Sequence, residues 1–112
     1  MSGCIQITTL TGSRDEADQI AARLVADRLA ACVQVMGPVS STYHWQDQLE
    51  QSEEWLCSVK TVAERFAAVA AVIRELHSYQ LPEIIATPIV AGSPEYLAWV
   101  QAETSGPAVP PG

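Results

Sequence analysis

Positive charge is scarce in this chain. Six lysines and arginines face thirteen aspartates and glutamates, a formal net charge of −7 over 112 residues. Nucleic-acid binding rests on cationic contacts to phosphates, so the composition argues against it. An anionic membrane surface is disfavoured for the same reason. Long apolar runs are also missing, and none approaches the ~20 residues that cross a bilayer. The start, "MSGCIQITTL", has no basic leader and goes straight into a strand-like alternation, so a cytoplasmic protein is expected. Cysteine is limited to Cys4, Cys32 and Cys57. Their odd number and wide spacing fit neither a disulfide framework nor a CxxC metal site. There is no GxSxG, no HExxH, no P-loop and no paired His/Cys motif, so no enzyme activity is expected.

Charge of both signs is low. Only 17% of residues are charged, against roughly 25% in a typical soluble domain. Such a surface suits partial coverage by other subunits. With 48% hydrophobic residues the chain can still build a core. Residues 1–104 read as one domain, and 105–112, ending "PAVPPG", as a Pro/Gly-rich disordered tail.

The pattern of elements is readable. "CIQITTL" alternates like a strand with one buried face. Ser13 and Glu16 have capping-box spacing, and Ala17, Ile20, Ala21, Leu24, Val25 and Leu29 give the following helix an apolar stripe up to Ala30 or Ala31. "CVQVMGPVSSTYHW" is a long strand in which Gly37-Pro38 suits a bend or bulge. Tyr43 and Trp45 share one face of it, and His44 takes the other. A polar turn follows, and "WLCSVKT" completes an unusually long hairpin. Thr61 and Glu64 mark a second capping box before a helix carrying Phe66, Val69, Ala70, Ile73 and Leu76 or His77. "EIIATPIV" reads as a short strand buried on both faces, with Pro88 placing part of it at an edge. Ser93-Pro94 starts a last short helix.

The order β-α-β-β-α-β is the ferredoxin-like pattern, an α+β fold with two helices on one face of an antiparallel sheet. The other face then has too few helices to cover it. Open edges invite pairing, and the overlong hairpin points to another copy of the same chain.

"RLAACVQV", "PVSSTYHW", "LEQSEEWLCSVKT", "ELHSYQLPEIIATPIV" and "SPEYLAWV" together resemble the CutA family, named for divalent cation tolerance. The resemblance covers roughly residues 5 to 100. It implies a ferredoxin-like subunit in a tight homotrimer, with sheets packed face to face and hairpins reaching across to neighbours. It implies a link to copper and other divalent metals, no established reaction, and a quaternary architecture similar to PII-type signalling trimers. It places Cys32, Trp45, Lys60, His77, Tyr79 and Glu83 in clefts between subunits. Two positions depart from possible metal-binding patterns in the family. Thr11 stands near a position where some bacterial members carry cysteine, and Leu76 stands beside His77 in place of a second histidine.

His77 and Glu83 are the metal candidates from the residues themselves, since imidazole and carboxylate suit Cu(II) or Zn(II). Cys32 is a third candidate donor or a buried packing residue. The alternative for His77 is a helix-ending residue that bonds the last carbonyls. Glu83 needs a partner if half-buried, and Lys60 is the candidate. Lys60, Tyr79 and Trp45 make the candidate ligand cleft, with Trp45 packing on a neighbour. No cofactor is required. A divalent cation such as Cu(II), or a small ligand, is the expected counterpart of the homotrimer.

Overall fold

The structure, a computed structural model, describes residues 3–106. Its elements are β1 (Cys4–Thr11), α1 (Arg14–Ala26), β2 (Cys32–Trp45), β3 (Gln48–Val62), α2 (Phe66–Leu76), β4 (Ile85–Pro88) and α3 (Pro94–Glu103). One turn of 3-10 helix, Ala63–Arg65, leads into α2. The sheet runs β2-β3-β1-β4 with every pairing antiparallel. This is the ferredoxin-like arrangement expected from the element order.

Alternation along the strands sorts the residues into two layers. Ile7 and Val59 face Ile20 and Leu24 of α1 and Val69 and Ile73 of α2, all fully buried. Each such aliphatic side chain contributes about 1.5–3 kcal/mol on burial. Arg23 ties the two helices together, meeting Asp27 at 2.7 Å and Glu75 at 2.9 Å. Among the described residues the opposite sheet face is covered only at one end, where Val100 of α3 packs on Cys4 and Ala31. The remaining open face carries Gln6, Lys60, Ser58 and Gln34 in register, flanked by exposed Met36 and Ile85.

The hairpin is as long as its sequence suggested: 14 residues in β2 and 15 in β3, against about 5–6 in an average strand. Its turn is the two residues Gln46 and Asp47, both at positive φ (52° and 62°). The ladder slips between Met36 and Val39, so Gly37-Pro38 forms the expected bulge.

Four expectations need correction. Helix α1 ends at Ala26, not at Ala30 or Ala31. Arg28 turns the chain at φ 61°, and Leu29 re-enters the core at 4% exposure. Its apolar character fits a further helical turn equally well, while Val25 lies 43% exposed. The capping box at Thr61 does not form. Thr61 belongs to β3 and donates to Leu29 O at 2.7 Å. At the first box Ser13 does accept from Glu16 N at 3.2 Å, but the Glu16 carboxylate reaches Ser78 instead of returning to the cap. Finally, β4 is four residues long and exposed throughout. It is an edge strand, paired only with β1, and its side chains stay exposed on both faces. Helix α3 starts as expected, with Pro94 at its first turn and Ser93 accepting from Tyr96 N at 3.3 Å. The tail expected at 105–112 falls mostly outside the described residues. Its first two residues lie at the end of α3, where Arg65 bonds the Gly106 carbonyl.

Candidate functional site

Strand β1 stops at Thr11, opposite Trp55, while β2 and β3 run on to their turn. This step leaves a notch at the end of the sheet. The segment 77–84, between α2 and β4, closes one side of it. Hydrogen bonds to β1, α1 and β3 pin that segment. His77 Nε2 is 2.7 Å from Leu10 O. Ser78 N donates to Glu16 Oε1 at 2.7 Å. Tyr79 O–H donates to Glu54 Oε2 at 2.8 Å.

The result is a cavity of about 770 Å³. Tyr43 and Trp45 line it from the hairpin, Glu54 from β3, and Tyr79, Leu81 and Glu83 from the closing segment. The bulge aims the hairpin residues. Met36 pairs with Leu56 and Val39 with Glu54. Two residues of β2, Gly37 and Pro38, therefore oppose Trp55 alone, and the odd-numbered residues beyond the bulge share the face of Leu56. Tyr43 is held there by a hydrogen bond shared with Ser52 at 3.2 Å. Burial first, then the bond to Glu54, hold the Tyr79 phenol above its ordinary range, so it remains a neutral donor.

Trp45, Tyr79 and Glu83 thus come together as part of one site. Lys60 and Cys32 do not join them. Lys60 Nζ donates to Gln34 Oε1 at 2.6 Å and to Ser58 Oγ at 2.9 Å. Gln6 Nε2 also donates to Ser58 Oγ, at 2.8 Å. Cys32 is half-buried rather than sealed in the core. Its Sγ lies 3.3 Å from Tyr96 O–H and accepts from Gln34 Nε2 at 3.6 Å. The bond to Cys32 first, then burial, push Tyr96 up to about 12. These side chains form a polar ladder across the open sheet face, at the α3 end.

Glu83 is exposed and accepts from Thr8 Oγ1 at 3.4 Å, so it needs no Lys60 partner. His77 is 9% exposed and caps α2. Tyr79 N donates to its Nδ1 at 3.1 Å. A backbone N–H only donates and a carbonyl only accepts, so Nδ1 carries the lone pair and Nε2 the proton. Both nitrogens are committed, and the ring bonds the end of β1 rather than the last carbonyls of α2. Among the described residues no three His, Cys, Asp or Glu side chains cluster for a metal ion. The described residues of one chain alone therefore do not assemble three protein ligands for a metal. Among the described residues no helix is long and apolar enough to cross a membrane.

Glu54 is the site residue that sequence reasoning missed. It sits in "LEQSEEWLCSVKT" with Glu50 and Glu53, and all three look like hairpin solvent positions. Only its two-residue step from Leu56 marks its face.

These features define a class: a ferredoxin-like α+β subunit with an overlong hairpin, a mostly uncovered sheet face and an aromatic, acidic cavity where β1 ends. Residues 5–103 match the family model described as CutA1 divalent ion tolerance protein, and the chain belongs to that family. It is 40% identical over 92 residues to the divalent-cation tolerance protein CutA of Thermus thermophilus, covering 82% of this chain and 89% of that one. It is 32% identical over 103 residues to CutA of Escherichia coli O139:H28, covering 90% and 92%. The crystal structure of CutA from Xylella fastidiosa superimposes with a TM-score of 0.89 at 36% identity, covering 91% of this chain and 98% of that one. The names of the Thermus and Escherichia relatives speak of divalent-cation tolerance.

Proposed function

We propose that this chain acts in divalent-cation tolerance as a homotrimer, holding metal weakly and only at sites completed between subunits. The observation that carries the assembly is the uncovered sheet face, bounded by two unpaired edge strands, β2 and β4. The two edges belong to different strands. Pairing one with the other is therefore heterologous, and such contacts form a ring when the rotation between copies closes. Exposed Met36, Ile85 and Val90 border this region and gain from burial. The metal part rests on the family. It is limited by the committed nitrogens of His77 and by the contacts of the half-buried Cys32 thiol with Tyr96 and Gln34, which leave Glu83 as the exposed donor among the three candidates. Light scattering at micromolar concentration is expected to give three times 12.1 kDa. A monomer or dimer would sink the assembly. Calorimetric Cu(II) titration is expected to show modest affinity that falls in Glu83→Gln. If His44→Ala alone abolishes binding, the metal is adventitious.

The cavity favours a second reading, a trimer that responds to a small ligand. Lys60 and His77 do not line it, so an anionic ligand finds no cation there.

A further inference from the structure

We propose that the cavity at the end of β1 binds a small organic ammonium ion, a primary amine or a quaternary ammonium. This deepens the ligand-responsive reading and rests on it.

Glu54 carries the argument. Its residue is 6% exposed, and its carboxylate accepts from the neutral Tyr79 hydroxyl. A buried charge calls for a partner of opposite sign. None of the four ion pairs among the described residues involves Glu54. No Lys, Arg or His lines the cavity, and Glu83 adds a second carboxylate. Among the described residues no cation supplies the compensating charge, and a cationic occupant would supply it.

The remaining walls select the kind of cation. Tyr43, Trp45 and Tyr79 line the same cavity as the two carboxylates. Cations are attracted to ring faces, with indole the strongest. Transition metals prefer imidazole or thiolate, which this wall lacks, and the described residues hold no three-donor cluster. A hydrated Mg(II) or Ca(II) would leave the rings unused. An ammonium bearing methyl or methylene groups uses both features, placing its charge at Glu54 and its carbon against Trp45. The volume, about 770 Å³, is within the usual ~300–1,000 Å³ of ligand sites.

The test uses the full chain and four probes: n-butylammonium, tetramethylammonium, n-butanol and butyrate. The readout is the indole N–H signal of Trp45 in NMR, identified by its loss in Trp45→Phe. Both ammonium ions are expected to shift it saturably, and the alcohol and butyrate to leave it unmoved. Glu54→Gln is expected to weaken n-butylammonium binding at least tenfold. Because Glu54→Gln could loosen the 77–84 segment, Tyr79→Phe is the companion variant. It loses the same hydrogen bond but keeps the carboxylate and the ring, and it is expected to lose less affinity than Glu54→Gln; an equal loss overturns the role given to the charge. Equal binding of n-butanol, or full binding by a folded Glu54→Gln, overturns the proposal. So does an unmoved Trp45 signal at saturating amine. Light scattering on the same sample separates the readings: a trimer that ignores ammonium ions overturns this inference alone, and a monomer that binds them overturns the trimer alone.

Discussion

Thr9 Oγ1 lies in the core and has no hydrogen-bond partner among the described residues. A buried hydroxyl in that state costs about 1–3 kcal/mol. Thr9→Val removes the hydroxyl at nearly constant shape, and its thermal midpoint is expected to rise. A fall would show that the hydroxyl has a use. Its neighbour across the ladder, Cys57, is fully buried and donates to Ala17 O at 3.7 Å. Burial first, then the charges of Asp18 and Glu16, push this thiol from 9.0 up to about 11. The fold therefore prefers the neutral thiol. That preference is fully present below pH 9 and is lost as pH rises through about 11. The stability gap between wild type and Cys57→Ala is expected to stay constant below the lower value and to narrow above it. A gap that does not change across this window would contradict the shift.

At the scale of elements, the hairpin depends on its bulge. A Cβ on Gly37 would stand 2.5 Å from Cδ1 of Trp55, closer than real side chains approach. Glycine is required because the indole lies directly against the backbone. Gly37→Ala is expected to cost about 1–3 kcal/mol, the usual penalty of overpacking, read as a lower urea midpoint. Gly37→Ala combined with Trp55→Leu is expected to recover part of that loss. A single variant as stable as wild type would show that the ring moves freely. The same bulge sets the phase of Tyr43 and Trp45, so weaker ammonium binding is expected to accompany the loss.

For the whole molecule, the open sheet face and the proposed trimer make stability a property of concentration. Association that buries apolar surface adds to folding by mass action. If unfolding is reversible, its midpoint is expected to fall on dilution. A midpoint unchanged over a hundredfold dilution would argue that each chain folds alone. The net charge of −7 works against self-association at low salt, so added salt is expected to raise the midpoint of a reversible transition.

Local order determined much of this protein before any packing was known. Alternation in β1, helical spacing in α2, the Ser93-Pro94 start of α3 and the Gly37-Pro38 interruption each come from interactions within a few residues. The element order they produce is enough for the fold class, and the quoted motifs are enough for the family. Packing decided the rest. Leu29 looked helical because burial is the same whether a residue arrives by helix or by turn. Strand β4 looked doubly buried because apolar content does not say which face is covered. The site was legible only as a set of names. Trp45, Tyr79 and Glu83 do meet, but Lys60 and Cys32 lie at the other end of the face, and His77 spends both nitrogens on backbone. Glu54 was hidden among its acidic neighbours. Which of three glutamates becomes buried depends on strand register and on where β1 stops, and both are set by contacts between residues distant in the chain.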